Sequence, residues 1–229
     1  MTQQLESERR VVPLRGARAM IADKMLASLQ TAAQLTHHVR ADMTALLAAK
    51  AQFKADGISL SVEDLLMGAV VQTLKQHPDI NGTVQGRDVH LSDVIDLGVA
   101  IALPGNLLAA PAIFNAGEMT LPQLRAARRD LSERARTNKL SVAEMTGGTF
   151  TISNLGLSRV EHFTPILNTP QIGILGVGCA VETAVRDGDS LVWKSYAGLS
   201  LTFDHRAIDG APAADFLTAL CMAIENFKP

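Results

Sequence analysis

The stretch LSLTFDHRAIDGAPAADFL, residues 199–217, changes from an apolar strand pattern to a helix pattern within a few residues. Leu199–Phe203 predicts a strand, and residues 213–227 predict the last helix, which Asp209 and the glycine after it open. Between the two elements lie His205 and Asp209, four positions apart. Loop side chains at the end of a rigid strand are a common place for catalytic groups. This junction is therefore the first candidate for a functional site.

His205 and Asp209 could also have purely structural roles. Asp209 could be only a helix N-cap, with its carboxylate accepting hydrogen bonds from the amides of Ala211 or Ala213. His205 could be a buried histidine whose ring nitrogens bond to backbone carbonyls. In a functional role, His205 would be a general base, because an imidazole with a pKa of about 6.5 can accept a proton from a thiol at neutral pH. Asp209 would then brace the loop and help to fix the tautomer.

Two other kinds of site are disfavoured. A serine-hydrolase site would need a nucleophile turn of the G-x-S-x-G type, which the sequence lacks. A metal site could draw on His205, Asp209 and the pair His37 and His38. Neighbouring strand residues point to opposite faces, however, so His37 and His38 would not readily bind one ion together. We predict no metal.

The composition is that of an ordinary soluble globular protein. The chain has 229 residues, 47% of them hydrophobic and 19% charged, with a net charge of -2. No half is strongly basic, so nucleic acid is not an expected partner. The most apolar region, residues 97–114, is interrupted at Pro104 and falls short of the ~20 residues that a membrane span needs. With no signal peptide and two cysteines outside any metal or disulfide pattern, we predict a cytoplasmic protein with no membrane contact.

The order of elements predicts one α+β domain. Helices are predicted at 14–31, 42–56, 61–76, 120–139 and 213–227, the third opening with a capping box of Ser61 and Asp64 and the fourth with Thr120 as its N-cap. Strands are predicted within 35–42, 83–91, 94–103, 107–114, 148–155, 170–178 and 199–203, with a hairpin at 185–193 turned at Asp187-Gly188. Because simple alternation of strand and helix is missing, we predict a large mixed sheet covered by helices. The predicted division is an N-terminal extension, residues 1–11, and a catalytic domain, residues 12–229.

The segment DHRAIDGA resembles the signature of a known enzyme family, the catalytic domain of the acyltransferase component of 2-oxo acid dehydrogenase complexes. The resemblance extends over nearly the whole chain in order, through LRGARAMIADKMLASLQTAAQLTHHVRADMTAL, SVEDLLMGAVVQTLKQHPDIN, GGTFTISNLG and FTPILNTPQIGILGVG. Chloramphenicol acetyltransferase is a more distant relative of that family. The resemblance implies its fold, with the active site at a subunit interface.

The resemblance also implies the chemistry. Members transfer an acyl group between a dihydrolipoyl thiol and the thiol of coenzyme A, which enter a channel from opposite ends. His205 then corresponds to the general base and Asp209 to the carboxylate that keeps the site in shape. Ser153 corresponds to the hydroxyl that stabilises the oxyanion of the tetrahedral intermediate. Phe163 and Asn168 are candidate contacts along the channel, Asn168 for the cofactor, although core packing also fits Phe163.

The family further implies an oligomer and several partners. A homotrimer is expected, with His205 of one chain meeting Ser153 of the next, and trimers can assemble into larger hollow cores. This chain starts almost directly at the catalytic domain, so it is expected to be either a piece of a longer protein or a free-standing enzyme, and in the second case the lipoyl group would arrive on another protein. Dehydrogenase components of the complex are expected partners. Two alternatives stay open, an acetyltransferase that uses a hydroxyl acceptor and a core scaffold without activity.

Overall fold

The computed structural model describes residues 11–105 and 107–229. The predicted N-terminal extension therefore lies outside the described residues, except for its last position. Within the described residues the chain forms six α-helices, which are α1 (Ala17–Thr31), α2 (Thr44–Ala55), α3 (Val62–Gln76), α4 (Leu121–Arg136), α5 (Val142–Thr146) and α6 (Gly210–Glu225).

Ten strands accompany these helices. They are β1 (Gln34–Asp42), β2 (Gly82–Gln85), β3 (Asp88–Leu91), β4 (Leu97–Val99), β5 (Ile101–Leu103), β6 (Leu107–Ala109), β7 (Ala112–Ile113), β8 (Phe150–Asn154), β9 (Gly173–Asp187) and β10 (Ser190–Asp204). Six of them form the main sheet in the order β1-β10-β9-β8-β4-β7, in which β8 runs parallel to both neighbours and the other pairs are antiparallel. The predicted α+β class and the large mixed sheet are confirmed.

The core lies between one face of this sheet and the helices α3 and α6. Phe150 and Phe203 project from the sheet and are fully buried, and Phe216 of α6 packs against Phe150. Most of α3 is buried, because apolar residues surround nearly its whole circumference. The sheet is thereby held rigid, so the ends of β8 and β10 are fixed platforms for polar side chains.

The starts of the central helices follow the sequence signals. The Ser61 hydroxyl accepts a hydrogen bond from the Asp64 amide (3.2 Å), and the Asp64 carboxylate accepts one from the Ser61 amide (2.8 Å). This capping box was predicted, and it satisfies two amides that would otherwise lack partners. Thr120 is the N-cap of α4, as predicted, and its amide donates to Gln123 (2.8 Å).

The hairpin differs from its predicted form. The predicted strand at 199–203 and the second arm of the predicted hairpin are one 15-residue strand, β10, which pairs with β9 except at an irregularity between Ala197 and Leu199. The turn consists of Gly188 and Asp189, one residue later than predicted, because Gly188 takes the positive φ of 59° that a tight turn requires. Helix α5 was not predicted.

Candidate active site

His205 stands in the short loop between β10 and α6. Its backbone amide donates to the carbonyl of Ala33 (2.9 Å), which fixes the loop to the segment before β1. The side chain keeps 43% of its surface exposed. The alternative of a buried histidine satisfied by carbonyls is therefore wrong. His205 presents its ring at the surface of the chain, where a substrate or a second chain can reach it.

Asp204 and Arg206 form a latch on either side of His205. The Asp204 side chain is buried and accepts hydrogen bonds from Arg206 Nη2 (2.6 Å) and from the Ala33 amide (3.3 Å). Burial by itself would raise the pKa of Asp204, but the hydrogen bonds from the Arg206 side chain and backbone outweigh it and hold the pKa below its ordinary value. Ionised Asp204 thus fixes the backbone on both sides of His205.

Asp209 occupies the N-cap position of α6, yet its side chain makes no capping hydrogen bond. The carboxylate is 84% exposed, and its Oδ1 lies 3.5 Å from His205 Nδ1. The interpretation of Asp209 as only a capping residue is therefore wrong. The two side chains are adjacent, and no hydrogen bond joins them within the described residues.

Ser153 lies near the end of β8, half-buried, and far from His205 of the same chain. In the sheet register Ser153 pairs with Gly176, and Gly176 pairs with Ser200. Ser200 precedes His205 by five residues, or about 17 Å of strand, and two strand spacings of about 4.8 Å separate β8 from β10. One chain therefore does not bring Ser153 and His205 together.

The two channel candidates lie in the segment that leads into β9. The Phe163 ring covers Gly176, where a side chain would collide with it (2.8 Å), so the ring stands beside the sheet position of Ser153. Asn168 is half-buried and its carbonyl accepts from the Gln171 amide (3.2 Å). Its side chain has no hydrogen bond within the described part of the chain.

The paired histidines point to opposite faces of β1, as predicted. The His37 ring stacks on Phe203 at 5.2 Å, on the core side of the sheet. His38 Nδ1 lies 2.8 Å from the Ser200 hydroxyl on the other side. Residues 11–105 and 107–229 contain no cluster of three or more side chains with metal-binding chemistry. Over the same residues, no helix has the length and apolar content needed to cross a bilayer.

A cavity of about 390 Å³ opens at the end of β8. Asn154, the residue after Ser153, lies in its wall. Its apolar lining is Met43, Leu47, Val62, Leu66, Leu157, Val177, Ala180 and Ala197, and its charged lining is Lys50, Glu63 and Arg128. Ligand pockets commonly combine such apolar walls with a few polar groups. We call it the β8 cavity.

Three charged residues of the β8 cavity were missed by sequence reasoning. Arg128 Nη1 lies 2.9 Å from Glu63, and Arg128 Nε lies 2.8 Å from the fully buried Asp64. Lys50 has no carboxylate within ion-pair distance among the described residues. The SxxD signal at 61–64 marked the start of α3, but no local pattern shows that this helix end faces β8.

The chain matches the family model described as 2-oxoacid dehydrogenases acyltransferase (catalytic domain) over residues 6–229. It is 39% identical to the dihydrolipoyllysine-residue acetyltransferase component of the acetoin cleaving system of Bacillus subtilis, covering 96% of this chain and 56% of that protein. It is 37% identical to the corresponding mitochondrial pyruvate dehydrogenase component of Schizosaccharomyces pombe, covering 94% and 46%. The chain thus spans about half the length of these curated relatives.

Solved structures agree in fold. A probable dihydrolipoamide acetyltransferase of Listeria monocytogenes superposes with a TM-score of 0.89 at 32% identity, covering 97% of each chain. The dihydrolipoamide acetyltransferase of Azotobacter vinelandii, studied for the catalytic roles of a serine, a histidine and an asparagine, gives 0.87 at 34%, covering 96% of this chain and 92% of that one. A chloramphenicol acetyltransferase shares the fold, with a TM-score of 0.55 at 16% identity. This chain belongs to the family of 2-oxo acid dehydrogenase acyltransferase catalytic domains.

Proposed function

We propose that this chain moves an acyl group between a dihydrolipoyl thiol and the thiol of coenzyme A. The observation that carries the proposal is the spacing of Ser153, His205 and Asp209. In the Azotobacter vinelandii enzyme the serine precedes the histidine by 52 positions and the asparagine follows it by four. Ser153 precedes His205 by the same 52 positions, and Asp209 follows by four. Four positions after the histidine, the Azotobacter vinelandii enzyme has an asparagine, whereas this chain has the carboxylate of Asp209.

The proposed reaction uses one proton transfer and one addition. His205 Nε2 removes the proton from the attacking thiol, and the thiolate adds to the carbonyl carbon of the thioester. The Ser153 hydroxyl donates a hydrogen bond to the oxygen that becomes negative in the tetrahedral intermediate. The intermediate then expels the second sulfur, which takes the proton back from the His205 imidazolium. Asp209 is the carboxylate that we propose faces Nδ1 of that imidazolium.

The separation within one chain requires that the site be shared. Because Ser153 and His205 of one chain lie at different ends of the sheet, the proposed reaction needs Ser153 of one chain and His205 of another. A homotrimer, alone or within a larger core, provides three such pairs. Closed rings of identical interfaces are a common form of homo-oligomer.

The β8 cavity suits the coenzyme A arm. The pantetheine arm is neutral and mostly apolar with two amides, which matches apolar walls that carry a few polar groups. Asn154 in the wall directly follows Ser153, so the cavity opens at the end of β8 where Ser153 lies, with the two side chains on opposite faces of the strand. Lys50, the lining cation without a carboxylate partner among the described residues, is available to a phosphate group. Asn168 is kept as a further candidate contact.

The acyl group would reach the site on a lipoylated protein or domain. Since the chain spans about half of its curated relatives, we propose that such a domain and the dehydrogenase components are its partners. A cytoplasmic location is proposed from composition and from the bacterial relatives.

An acyl-transfer assay tests the function. The purified protein is mixed with dihydrolipoamide and with acetyl-, succinyl- or branched acyl-coenzyme A, and formation of acyl-dihydrolipoamide is followed. We expect turnover with at least one donor, and His205→Ala should lower it about 10²- to 10⁴-fold, the usual contribution of a general base.

Controls separate the alternatives. Circular dichroism should show that the His205→Ala variant stays folded. Turnover only with hydroxyl acceptors would favour the O-acetyltransferase alternative. No turnover with any acceptor, in protein shown to be oligomeric, would favour a scaffold without activity and contradict the proposal.

A further inference from the structure

One side chain of the β8 cavity has the wrong charge for the proposed ligand. Coenzyme A is a polyanion, and yet Glu63 lines the cavity with 24% of its side chain exposed. A carboxylate near bound phosphates repels them, and the repulsion is stronger where protein displaces water. Glu63 is outside the acyl-transfer step, so its presence calls for a separate explanation.

The surroundings of Glu63 neutralise its charge only in part. The groups that face it are Asp64 of α3, Arg128 of α4 and the neutral Asn154 of β8, with Lys50 of α2 on the cavity lining. Arg128 is shared, since its Nε is held by buried Asp64 and its Nη1 by Glu63. Burial raises the pKa of Glu63, Arg128 lowers it, Asp64 raises it and Asn154 lowers it, and the net result is a pKa above the ordinary value.

We propose that Glu63 restrains the affinity for coenzyme A and makes it depend on pH, because its carboxylate repels the ligand and occupies the Arg128 Nη1 donor. When Glu63 takes up a proton from solvent, Arg128 keeps its bond to Asp64 and turns a free N–H toward the cavity. Coenzyme A binding and proton uptake at Glu63 then favour each other by linkage. The inference rests on the proposed function, in that the β8 cavity receives coenzyme A.

The direction with pH follows from the sign of the linkage. Glu63 is charged at high pH and gains its proton as the pH falls, so coenzyme A should bind more tightly at the lower pH. The 3′-phosphate of coenzyme A also titrates, but it does so equally with every protein variant. A comparison between wild type and Glu63→Gln therefore isolates the contribution of Glu63, because glutamine keeps the size and the hydrogen-bonding oxygen.

The matched control is Glu118→Gln. Glu118 is exposed and follows Gly117, where an added Cβ would lie 3.5 Å from the Lys75 side chain at the far end of α3. Glu63 and Lys75 are 12 positions apart on that helix, which corresponds to about 18 Å. The same change of charge is thus made outside the β8 cavity.

Isothermal titration of coenzyme A into the whole oligomeric protein tests the inference. At about pH 8, Glu63→Gln should bind coenzyme A severalfold more tightly than wild type, because the charged carboxylate that repels the phosphates is removed. As the pH is lowered in steps the difference should shrink, because the raised pKa lets wild-type Glu63 gain its proton earlier than an ordinary carboxyl. Glu118→Gln should match wild type at every pH. Titrations in buffers of different ionisation enthalpy measure the protons taken up when coenzyme A binds. Wild type should take up more protons than Glu63→Gln.

The other possible results would each overturn the inference. Equal or weaker binding by Glu63→Gln at the higher pH, with wild-type turnover intact, would overturn the role of Glu63 and leave the proposed function standing. A wild-type protein that neither binds coenzyme A nor turns it over would overturn both. Equal proton uptake by wild type and Glu63→Gln would also overturn the role of Glu63.

Discussion

At the scale of single residues, the side chains of the segment DHR, residues 204–206, differ in direction and in burial. Asp204 points inward and is buried, and Arg206 closes over it, whereas His205 between them projects outward. Phe203 and Asp204 at the end of β10 are both fully buried, and His205 is exposed because the strand ends at Asp204 and the loop begins there. The position of His205 was therefore predictable from the sequence, and its role as base stays a prediction.

The site residues differ in how far sequence could predict them. His205 and Asp209 are four positions apart, so one local pattern contains both. Ser153 was identified through family resemblance alone, since a strand serine has an ordinary structural role as well. Lys50, Glu63 and Arg128 were missed because three separate helices bring them to one cavity, and no short window of sequence contains that information.

Lys50 gives a test at this scale. Lys50→Ala should raise the KM for coenzyme A about tenfold, because one charge-assisted contact to a phosphate is lost, and should leave the KM for dihydrolipoamide unchanged. Steady-state kinetics with each substrate varied in turn measures both constants. Lys54→Ala, on the same helix but outside the cavity lining, is the matched control. Equal effects of the two changes would show that Lys50 acts only through the general charge of α2.

At the scale of elements, glycines explain why the hairpin was predicted in pieces. A side chain at Gly178 or Gly198 would collide with the carbonyl of Glu161, and one at Gly176 would collide with the Phe163 ring. These glycines interrupt the apolar alternation that marks a strand. They are required because Glu161 and Phe163, from another segment, approach the strands closely. Local pattern therefore predicted the strands but could not predict their full length.

Helix α5 was missed although the sequence contains a signal for its start. Its N-cap Ser141 and Glu144 form a capping box, with the Ser141 amide donating to Glu144 (2.8 Å). The S-x-x-E signal was present in the sequence and would have predicted this helix. Five residues are too few for a clear apolar period, which is why the helix was missed.

The contact between α4 and α5 gives a test at this scale. Arg134 bonds to Glu144 (2.9 Å) and to Asp130 (2.8 Å), and hydrogen bonds from Arg134 and Ser141 lower the pKa of Glu144 to about 2. A lowered carboxyl pKa contributes stability at neutral pH that is lost as the pH falls from about 4.5 toward 2. Glu144→Gln should cost about 1 kcal/mol at neutral pH, since the pair is partly exposed and a cap is weakened.

Denaturant unfolding over a series of pH values measures this effect. Wild type should lose stability toward acid more steeply than Glu144→Gln, so the two curves should converge near pH 2. Glu133→Gln, an exposed carboxylate of α4 without an ion pair among the described residues, should track wild type. Parallel curves for Glu144→Gln and wild type would contradict the lowered pKa.

At the scale of the whole molecule, the class was predictable and the strand order was not. Period and composition predicted helices over a mixed sheet, and the structure confirms it. The placement of β8 between β9 and β4 depends on pairing between distant segments. That placement decides how far Ser153 lies from His205, so the need for a second chain could be expected only from the family.

Mixed assembly gives the test at this scale. His205→Ala and Ser153→Ala should each be nearly inactive, but an assembly that contains both has some interfaces with an intact His205 opposite an intact Ser153. Random mixing in equal amounts should restore about a quarter of wild-type activity, since each interface draws its two halves independently. Re-mixed His205→Ala alone is the control. No recovery in an assembly verified to be mixed would contradict a shared site.

The latch formed by Asp204 and Arg206 has a consequence for how activity is lost and regained. The bond to the Ala33 carbonyl and the pairing of Asp204 with Arg206, which shape the loop around His205, are made within one chain. A chain separated by dilution thus keeps this half of the site ready. Recovery on reconcentration should then be limited by collisions between chains, with a rate that rises with protein concentration, and should show no concentration-independent lag.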